Sequence, residues 1–231
     1  MKMSGWITIF CFSMLFLNCR VEEGNVNDTD MKLGDNIEVK KELSYDDYIK
    51  ILKGMKPILP IKGSHITTST GQLPNAPRKY RYGIHEGFDF YDGFCGVKIE
   101  KGTPVLAISN GKVIRADTNY KEIGAGKRKE LLKEARQLGY TPETTLDILR
   151  GRQVWLEHSN GIITRYCHLS GISKEIKVDV QKGNILGFVG GSGTSSKTPH
   201  LHFEIRLGKD FLGKGKSPEE IKQLMDEIFK K

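Results

Sequence analysis

Short apolar runs separated by turn residues dominate the middle of the chain. From Ile61 to Phe90, small groups of β-forming residues alternate with glycine and proline. Asn-Gly pairs, which favour tight turns, stand between later runs at Asn110 and Asn160. The pattern predicts antiparallel β structure built from many short strands. The clearest strand candidates are residues 104–108, 111–116, 154–158 and 162–168.

Residues 118–151 break this pattern and favour helix. Apolar residues recur at helical spacing in a segment from Lys127 to Leu138, and Gly139 then ends it. A second short helix is predicted from Pro142 to Leu149. We therefore expect a helical insertion between two strands, which either flanks a substrate groove or packs on the back of the domain. The recurring apolar residues are Leu131, Leu132, Ala135 and Leu138.

Capping patterns predict a helix at each end of the domain. Ser44, with Asp47 three residues later, predicts a helix through Lys53, and residues 44–56 form a lead-in to a domain that spans residues 57–216. Residues 217–231 begin Ser-Pro-Glu-Glu, a start signal for an amphipathic C-terminal helix. We expect this helix to pack on the domain through Ile221, Leu224, Met225, Ile228 and Phe229.

An apolar run near the start of the sequence predicts export. Residues 1–18 carry a single charge, Lys2, followed by an apolar run with the build of a signal peptide. The run is shorter than the roughly 20 apolar residues that a membrane-spanning helix needs. An uncleaved short anchor is the alternative interpretation.

The end of that run suggests a lipid anchor. Residues 15–19 read Leu-Phe-Leu-Asn-Cys, which resembles the lipobox of bacterial lipoproteins, although Phe16 and Asn18 replace the usual leucine and small residue. The resemblance implies that Cys19 becomes the lipidated first residue of the mature protein. Residues 19–43 are polar, acid-rich and poor in aromatic residues after the cysteine, which predicts a flexible tether.

Charge and cysteine content narrow the choice of partners. The formal net charge is +8, and a basic surface favours anionic partners such as wall polymers or lipid headgroups. No basic motif interleaved with aromatic residues occurs in the sequence, which argues against a nucleic-acid partner. Cys95 and Cys167 remain after the signal and the lipid anchor, and could form one disulfide in an exported protein. Nothing in the sequence indicates an oligomeric state.

Three small clusters contain the histidine and carboxylate residues of interest. Residues 85–89 read His-Glu-Gly-Phe-Asp, residues 166–169 read Tyr-Cys-His-Leu, and residues 199–204 read Pro-His-Leu-His-Phe-Glu. Side chains alternate along a strand, so His200 and His202 share one face while the apolar residues between them enter a core.

The potential ligands of the first cluster, residues 85–89, can also share one face of a strand. His85 and Asp89 are four positions apart, an even offset that shares a face on a strand, and the nearby glycines argue against a helix. Catalytic zinc commonly uses three protein ligands and a water molecule, and a His-Asp-His set meets that requirement. His168 and one of His200 and His202 then remain to move protons and stabilise an oxyanion.

Two other chemistries fit the sequence less well. Cys167 beside His168 suggests a thiol protease, but adjacent strand residues face opposite sides and cannot pair as nucleophile and base. Residues 191–198 resemble a phosphate-binding loop, yet Ser196 stands where that motif needs glycine. A glycine-rich turn at the border of a substrate groove is the better interpretation.

Taken in order, the three clusters resemble the pattern of the lysostaphin-type, LytM-like zinc metallopeptidases, which is His-x-Gly-x-Asp, then Tyr-x-His-Leu, then His-Leu-His-Phe-Glu. The similarity extends from residue 57 to residue 207 and is interrupted by the helical insertion. It implies a mainly β fold, a compact antiparallel β-sheet domain of the lysostaphin-like (duplicated hybrid motif) type, here with a helical insertion and a C-terminal helix.

The resemblance also implies roles for individual residues. It implies that His85, Asp89 and His202 bind one zinc ion. It implies that His168 and His200 are not ligands, and that they orient the attacking water, carry its proton and stabilise the tetrahedral intermediate.

A tyrosine near the first cluster often assists the oxyanion in this family, and Tyr80 and Tyr82 are both candidates. His65 and His158 match no position of the pattern, so we expect structural or surface roles for them.

The expected function is zinc-dependent hydrolysis of peptide bonds in peptidoglycan, in stem or cross-bridge peptides, by a metal-activated water. We expect an exported, membrane-anchored lipoprotein that faces the periplasm or cell envelope. The alternative is a catalytically inactive relative that binds and activates separate cell-wall amidases. All the metal and catalytic positions are intact, which favours the enzyme.

Overall fold

The computed structural model describes residues 42–230. The predicted signal segment, the predicted lipidation site at Cys19 and nearly all of the predicted tether lie outside these residues. Within the described part, no helix combines the length and the apolar character needed to cross a bilayer.

The described residues contain twelve short strands, four α-helices and three 3₁₀ helices of three residues each. The helices are α1 (Tyr45–Gly54), α2 (Ala125–Leu138), α3 (Glu143–Leu149) and α4 (Pro218–Ile228). The strands are β1 (Pro77–Arg78), β2 (Gly83–Ile84), β3 (Phe88–Phe90), β4 (Pro104–Leu106), β5 (Gly111–Ala116), β6 (Val154–Glu157), β7 (Ile162–Cys167), β8 (Gly171–Ile172), β9 (Asp179–Val180), β10 (Ile185–Phe188), β11 (Leu201–Leu207) and β12 (Asp210–Phe211).

All strand pairs are antiparallel, so the predicted mainly β, antiparallel fold is confirmed. The large sheet has the order β12-β11-β7-β6-β5-β9, with β3 added on β11. A second sheet has the order β4-β10-β8, and β1 pairs with β2. Asn160 lies in the turn of the β6–β7 hairpin, whereas Asn110 connects strands of two different sheets.

Strand β11 lies at the centre of the core. It pairs with β3, β7 and β12, and nearly every residue along it is buried. On the face away from the histidines, Phe203 packs with its ring centroid 6.5 Å from that of Phe90 and 5.2 Å from that of Tyr166. Packing of buried aromatic rings therefore holds β11 in place.

The terminal helices pack against each other, and both begin as the sequence predicts. Ser44 and Ser217 each form a capping box with the acidic residue three positions on. Lys53 of α1 forms an ion pair with Glu227 of α4 at 2.6 Å. The apolar side of α4 is buried through Ile221, Met225 and Ile228.

Helices α2 and α3 form the predicted insertion between the adjacent strands β5 and β6. Gly139 ends α2 with a φ of 74°, in the left-handed region that glycine favours. The helix begins at Ala125, earlier than the predicted Lys127, because Gly124 occupies the cap position and provides no side-chain signal. Cys95 and Cys167 are both buried and free, so the possible disulfide is not present.

Candidate metal centre

Strand register places two of the candidate ligands side by side. His202 of β11 lies directly opposite Asp89 of β3. Directly opposed residues of an antiparallel pair project to the same face. Both are buried, with 7% of their surface exposed. Pairing of two strands therefore joins an imidazole and a carboxylate that are 113 positions apart in the sequence.

Gly87 permits this close approach. A Cβ atom at position 87 would lie 2.4 Å from the carbonyl oxygen of Phe203, closer than such atoms can come. The glycine of the His-x-Gly-x-Asp motif is therefore required because the backbone before β3 lies directly on β11.

His85 reaches the site from a loop. The prediction that His85 and Asp89 share a face of one strand is wrong, because His85 lies between β2 and β3. Backbone hydrogen bonds fix this loop instead. The amide of His85 donates to the carbonyl of Ala76 at 2.9 Å, and its carbonyl accepts from Asn75 at 2.8 Å. These bonds position His85 at the site, as the pairing of β3 with β11 positions Asp89.

Three potential ligand atoms converge at one point. Nε2 of His85 lies 2.9 Å from Oδ1 of Asp89 and 2.8 Å from Nδ1 of His202. Nδ1 of His202 lies 2.8 Å from the same carboxylate oxygen. Ligands of tetrahedral zinc are separated by about 3.3 Å, given the usual metal–ligand distances. A small outward movement of each side chain therefore gives the spacing that a zinc ion needs.

The outer hydrogen bonds of both histidines aim lone pairs at that point. Nδ1 of His85 donates to the carbonyl of Leu73 at 3.0 Å, and Nε2 of His202 donates to Glu204 at 3.0 Å. A neutral imidazole has one N–H, so the two inner nitrogens are acceptors that face an acceptor oxygen. Either a proton on His202 or a metal ion relieves the repulsion between these lone pairs, and metal-binding histidines make this kind of outer bond. The three residues therefore fit a metal ion.

The charges around the three atoms also favour a cation. Burial lowers the pKa of His85. Burial opposes the charge on His202 as well, but Asp89 and Glu204 outweigh it and raise the pKa of His202. Burial alone would raise the pKa of Asp89, whereas His85 and His202 hold it well below its usual range. The carboxylate is therefore ionised and available as a ligand.

His168 joins the site because the backbone turns at the end of β7. Cys167 lies opposite His202 and takes the position on the site face, so a regular strand would turn the next side chain away. His168 has a φ of 63°, in the left-handed region, and leaves the strand. Its ring centroid lies 4.6 Å from that of His200 and 5.7 Å from that of His202.

His168 and His200 both have Nδ1 bound and Nε2 free of partners within the described chain. Nδ1 of His168 donates to the carbonyl of Ser192 at 2.8 Å, and Nδ1 of His200 donates to the carbonyl of Thr198 at 2.9 Å. The ring of Tyr91 stacks on His200 at 4.2 Å and 7°. Each neutral ring therefore has a fixed orientation with an Nε2 lone pair.

Burial is the main cause of the electrostatic state of these two rings. It lowers the pKa of His168 well below its usual value, and the neighbouring His200 and His202 lower it further. Burial also lowers the pKa of His200. Both rings are therefore neutral near pH 7 and can accept a proton.

A buried ionic cluster supports His202 from outside. Glu204, which is fully buried, accepts from His202 and also from Nε of Arg150 at 2.7 Å. Arg150 follows α3 and makes ion pairs with Glu86 and Glu143 at 3.0 Å each. The sequence analysis missed Arg150, because a charged residue at the end of a short helix gives no signal of burial.

Two further residues near the ligands were also missed. Nη2 of Arg78 lies 3.1 Å from Oδ2 of Asp89, the oxygen that does not face the histidines. Tyr91, which stacks on His200, is two positions after Asp89. That even spacing from a candidate ligand is a signal that could have identified Tyr91.

The five predicted site residues line one groove of about 460 Å³. Tyr80 lines this groove and Tyr82 does not. The insertion forms part of the wall of this groove. Of the two predicted positions for the insertion, beside the groove or on the back of the domain, the structure therefore shows the first. The residues that the insertion contributes are Arg128, Leu146, Leu149 and Arg150.

The remaining candidates have structural roles. Burial raises the pKa of Cys167 well above its usual value, so its thiol stays protonated and does not act as a nucleophile. His158 is buried, with Nδ1 at 2.8 Å from the carbonyl of Asn110 and Nε2 at 2.8 Å from the hydroxyl of Thr164. His65 is exposed.

The fold and the site define an antiparallel β protein in which a His-Asp-His group that could hold a metal ion lies beside two neutral histidine rings in one groove. The family model of peptidase family M23 matches residues 83–214 of the chain. The chain belongs to this family.

Two other proteins are similar to the chain in sequence. DD-carboxypeptidase/endopeptidase Mpg of Neisseria meningitidis serogroup B is 29% identical over 155 residues, which cover 67% of this chain and 27% of that protein. Lysostaphin of Staphylococcus staphylolyticus is 32% identical over 124 residues, which cover 53% of this chain and 18% of that protein. The chain thus spans about a quarter of the length of Mpg.

Among solved structures, lysostaphin of Staphylococcus simulans is similar with a TM-score of 0.44 and 22% identity, over 76% of this chain and 56% of that chain. The catalytic domain of the prophage-encoded M23 protein EnpA of Enterococcus faecalis gives a TM-score of 0.41 and 21% identity, over 67% and 92% of the two chains.

Proposed function

We propose that the protein is a zinc-dependent endopeptidase that hydrolyses peptide bonds of bacterial peptidoglycan, in stem or cross-bridge peptides. The observation that carries the proposal is the convergence of Nε2 of His85, Oδ1 of Asp89 and Nδ1 of His202, beside two neutral histidine bases. Membership of peptidase family M23 and the similarity to an endopeptidase, Mpg, support peptide-bond hydrolysis. The resemblance of the three motifs to lysostaphin-type enzymes supports peptidoglycan as the substrate.

Two imidazole nitrogens and one carboxylate oxygen form a donor set that suits a single zinc ion. A zinc ion held there would supply Lewis acidity, which would polarise a peptide carbonyl and make a water molecule more acidic. The chain itself keeps the ligands in register. His202 is oriented by Glu204, His85 by the carbonyl of Leu73, and Asp89 by Arg78.

His168 and His200 provide the proton transfers. Each ring donates its Nδ1 proton to a backbone carbonyl, so Nε2 is the atom that faces the groove as a base. An attacking water can give its proton to Nε2 of one ring, and the resulting imidazolium can return that proton to the leaving amine. A protonated ring is also a donor to the oxyanion of the tetrahedral intermediate.

The test measures zinc content and release of peptide fragments from purified peptidoglycan. Replacing His85 or Asp89 by alanine removes a ligand, so the variant is expected to lose zinc and hydrolysis together. The His168→Ala variant is expected to retain zinc and lose turnover, because His168 binds no metal in the proposal. The exposed histidine His65 provides the matched control, and His65→Ala is expected to retain both properties.

Two results would contradict the proposal. Normal hydrolysis by His168→Ala would show that the role assigned to His168 is wrong. A wild-type protein that binds no zinc, cuts no peptide and stimulates a separate cell-wall amidase would favour the inactive-activator alternative.

We further propose that the protein is exported and held at a membrane, facing the periplasm or cell envelope, by a lipid on Cys19. The lipobox-like sequence before Cys19 supports this proposal. Cell fractionation tests it, since Cys19→Ala is expected to move the protein to the soluble fraction. Retention in membranes would favour an uncleaved N-terminal helix instead.

A further inference from the structure

A second cavity of about 480 Å³ adjoins the metal groove. The two cavities share part of their lining, and helix α2 of the insertion forms much of the second one. A peptide that crosses the metal centre can therefore continue along the insertion. The residues that line both cavities are Tyr80, Arg128, Thr194 and Ser195.

Arg128 lies at the junction and lacks an acceptor for part of its guanidinium group. Its Nη1 donates to the carbonyl of Gly193. Its Nε is buried and has no hydrogen-bond partner within residues 42–230. A buried donor without an acceptor is unusual in a folded protein and costs free energy, so a movement of this side chain that brings Nε to an acceptor on a ligand is favoured.

The charge around Arg128 selects an anion. Neither Arg128 nor Lys129 forms an ion pair in the described part of the chain, whereas Lys127 beside them pairs with Glu130. The acidic residue of this wall, Glu122, is already occupied by Lys197 at 2.9 Å and by the amide of Gly193 at 3.0 Å. The wall therefore has uncompensated positive charge.

The geometry of the free edge selects a carboxylate. Nη2 has no hydrogen-bond partner within residues 42–230, and Nε beside it is covered. A small movement of the side chain that uncovers Nε presents both nitrogens on one side of the guanidinium fork, the arrangement that matches the two oxygens of a carboxylate. Most of the exposed lining of the second cavity is apolar, with the half-exposed ring of Tyr80 and the side chains of Ile123, Ala125 and Leu132. The polar and charged side chains that complete it are Glu122, Lys129, Thr194, Ser195 and Lys197. An occupant with a carboxylate next to small apolar groups fits both features.

We propose that α2 forms a substrate subsite in which Arg128 binds a carboxylate of the peptide being cut. This proposal rests on the proposed peptidase function and names a feature of its substrate. The carboxylate is either the C-terminal one or one carried along the peptide by an acidic residue, and the same guanidinium edge would recognise both.

Paired synthetic peptides test the proposal. The probe is a stem-type pentapeptide with a γ-linked D-glutamate and a C-terminal D-Ala-D-Ala, compared with two variants in which either the terminal or the internal carboxylate is a carboxamide. We expect wild-type protein to favour the carboxylate form in kcat/KM by on the order of 10-fold or more in one of the two arms, the size of a charge-assisted hydrogen bond. In Arg128→Gln the ratio is expected to fall to near one, and Arg128→Lys is expected to restore part of it.

This ratio separates binding from positioning. Arg128 also holds the carbonyl of Gly193, next to the Ser192 carbonyl that orients His168. A substitution that only disturbs His168 slows the acid and the amide peptides equally and leaves the ratio unchanged. Arg136→Gln, which removes an exposed arginine from the same helix, is the control and is expected to retain the wild-type ratio.

Equilibrium binding provides a readout that does not require turnover. Fluorescence anisotropy of labelled peptides with zinc-loaded His168→Ala is expected to show the same carboxylate preference, and the preference is expected to disappear when Arg128→Gln is added. Hydrolysis with equal ratios in wild type and Arg128→Gln would overturn the subsite and leave the peptidase proposal intact. If the protein hydrolyses neither peptide but its binding preference depends on Arg128, the peptidase proposal would be overturned and the carboxylate subsite would remain.

Discussion

Replacing Glu204 with glutamine removes a negative charge from the interior with almost no change in volume. Glu204 is fully buried. Its Oε1 accepts from Nε of Arg150 at 2.7 Å and from Nε2 of His202 at 3.0 Å, and its Oε2 accepts from Nη1 of Arg165 at 3.3 Å. A glutamine side chain has one acceptor oxygen and one donor nitrogen. In either orientation of the amide, at least one of these donors then faces another donor.

The magnitude of the effect follows from the charges around the carboxylate. Burial would raise the pKa of Glu204, but Arg150 and His202 hold it far below its usual range, so the group is ionised at neutral pH. Removing one partner of a buried ion pair costs about 3–5 kcal/mol, because the other charge stays buried. Arg150 keeps Glu86 and Glu143 at 3.0 Å each, so we expect the lower end, about 3 kcal/mol.

The substitution of Glu204 is also expected to weaken zinc binding. Loss of the outer partner of a metal-binding histidine typically weakens metal binding by about 10–100-fold, which corresponds to about 1.4–2.7 kcal/mol. Glu204→Gln is therefore expected to reduce both the stability of the metal-stripped protein and the zinc affinity of the native one. Glu204→Ala is expected to reduce both by more, because it also leaves a cavity.

Two assays measure these effects separately. Urea unfolding of the metal-stripped protein can be followed by tryptophan fluorescence, since the Trp155 ring lies 4.0 Å from the guanidinium of Arg165, which contacts Glu204. Chelator competition gives the zinc affinity. Glu157→Gln, an exposed glutamate on β6, is the control and is expected to change neither value by more than about 0.5 kcal/mol. A Glu204→Gln protein that matches this control in both assays would refute the reasoning.

Two further predictions concern packing and pH. Gly87→Ala places a Cβ atom 2.4 Å from the carbonyl oxygen of Phe203, so urea unfolding should show a free energy of unfolding lower by about 1–3 kcal/mol, together with a loss of bound zinc. As the control, Gly126→Ala in α2 meets open space and should raise the free energy of unfolding by up to about 1 kcal/mol. Equal effects of the two substitutions would contradict the packing argument. Burial lowers the pKa of His158 below 6.5 despite its bond to Asn110, so on acidification the unfolded chain takes up a proton before the native one. The free energy of unfolding should therefore fall as the pH drops below 6.5. In urea unfolding, His158→Gln should reduce this dependence on pH, and an unchanged dependence would show that other groups cause it.

The parts of the fold that depend on local pattern could be predicted from the sequence. Ser44 and Ser217 begin helices because a capping serine and an acidic residue three positions on satisfy each other over a single turn. His202 faces the site while Phe203 enters the core because alternation along a strand needs no tertiary information. The convergence of His202 with Asp89 also follows once the two strands are paired.

Backbone departures from regular structure could not be predicted in this way. Strand alternation placed Cys167 and His168 on opposite faces, and in a regular strand His168 would have pointed away from the groove. A left-handed φ of 63° at His168 reverses that outcome. His85 likewise depends on hydrogen bonds to Asn75 and Ala76 in a loop, which no spacing rule describes. In both cases the motif identified the residue, while the reason that it reaches the site is tertiary.

The contact between the insertion and the metal centre could not be predicted from local sequence patterns for a different reason. Arg150 and Glu204 are 54 positions apart, and each looks like an ordinary surface charge in its own segment. Burial of both becomes favourable only when they meet, because each removes the cost of desolvating the other. Since Glu204 also orients His202, a change in the packing of α3 alters the geometry of a candidate zinc ligand. The insertion is therefore part of the site in energetic terms, as well as part of the wall of its groove.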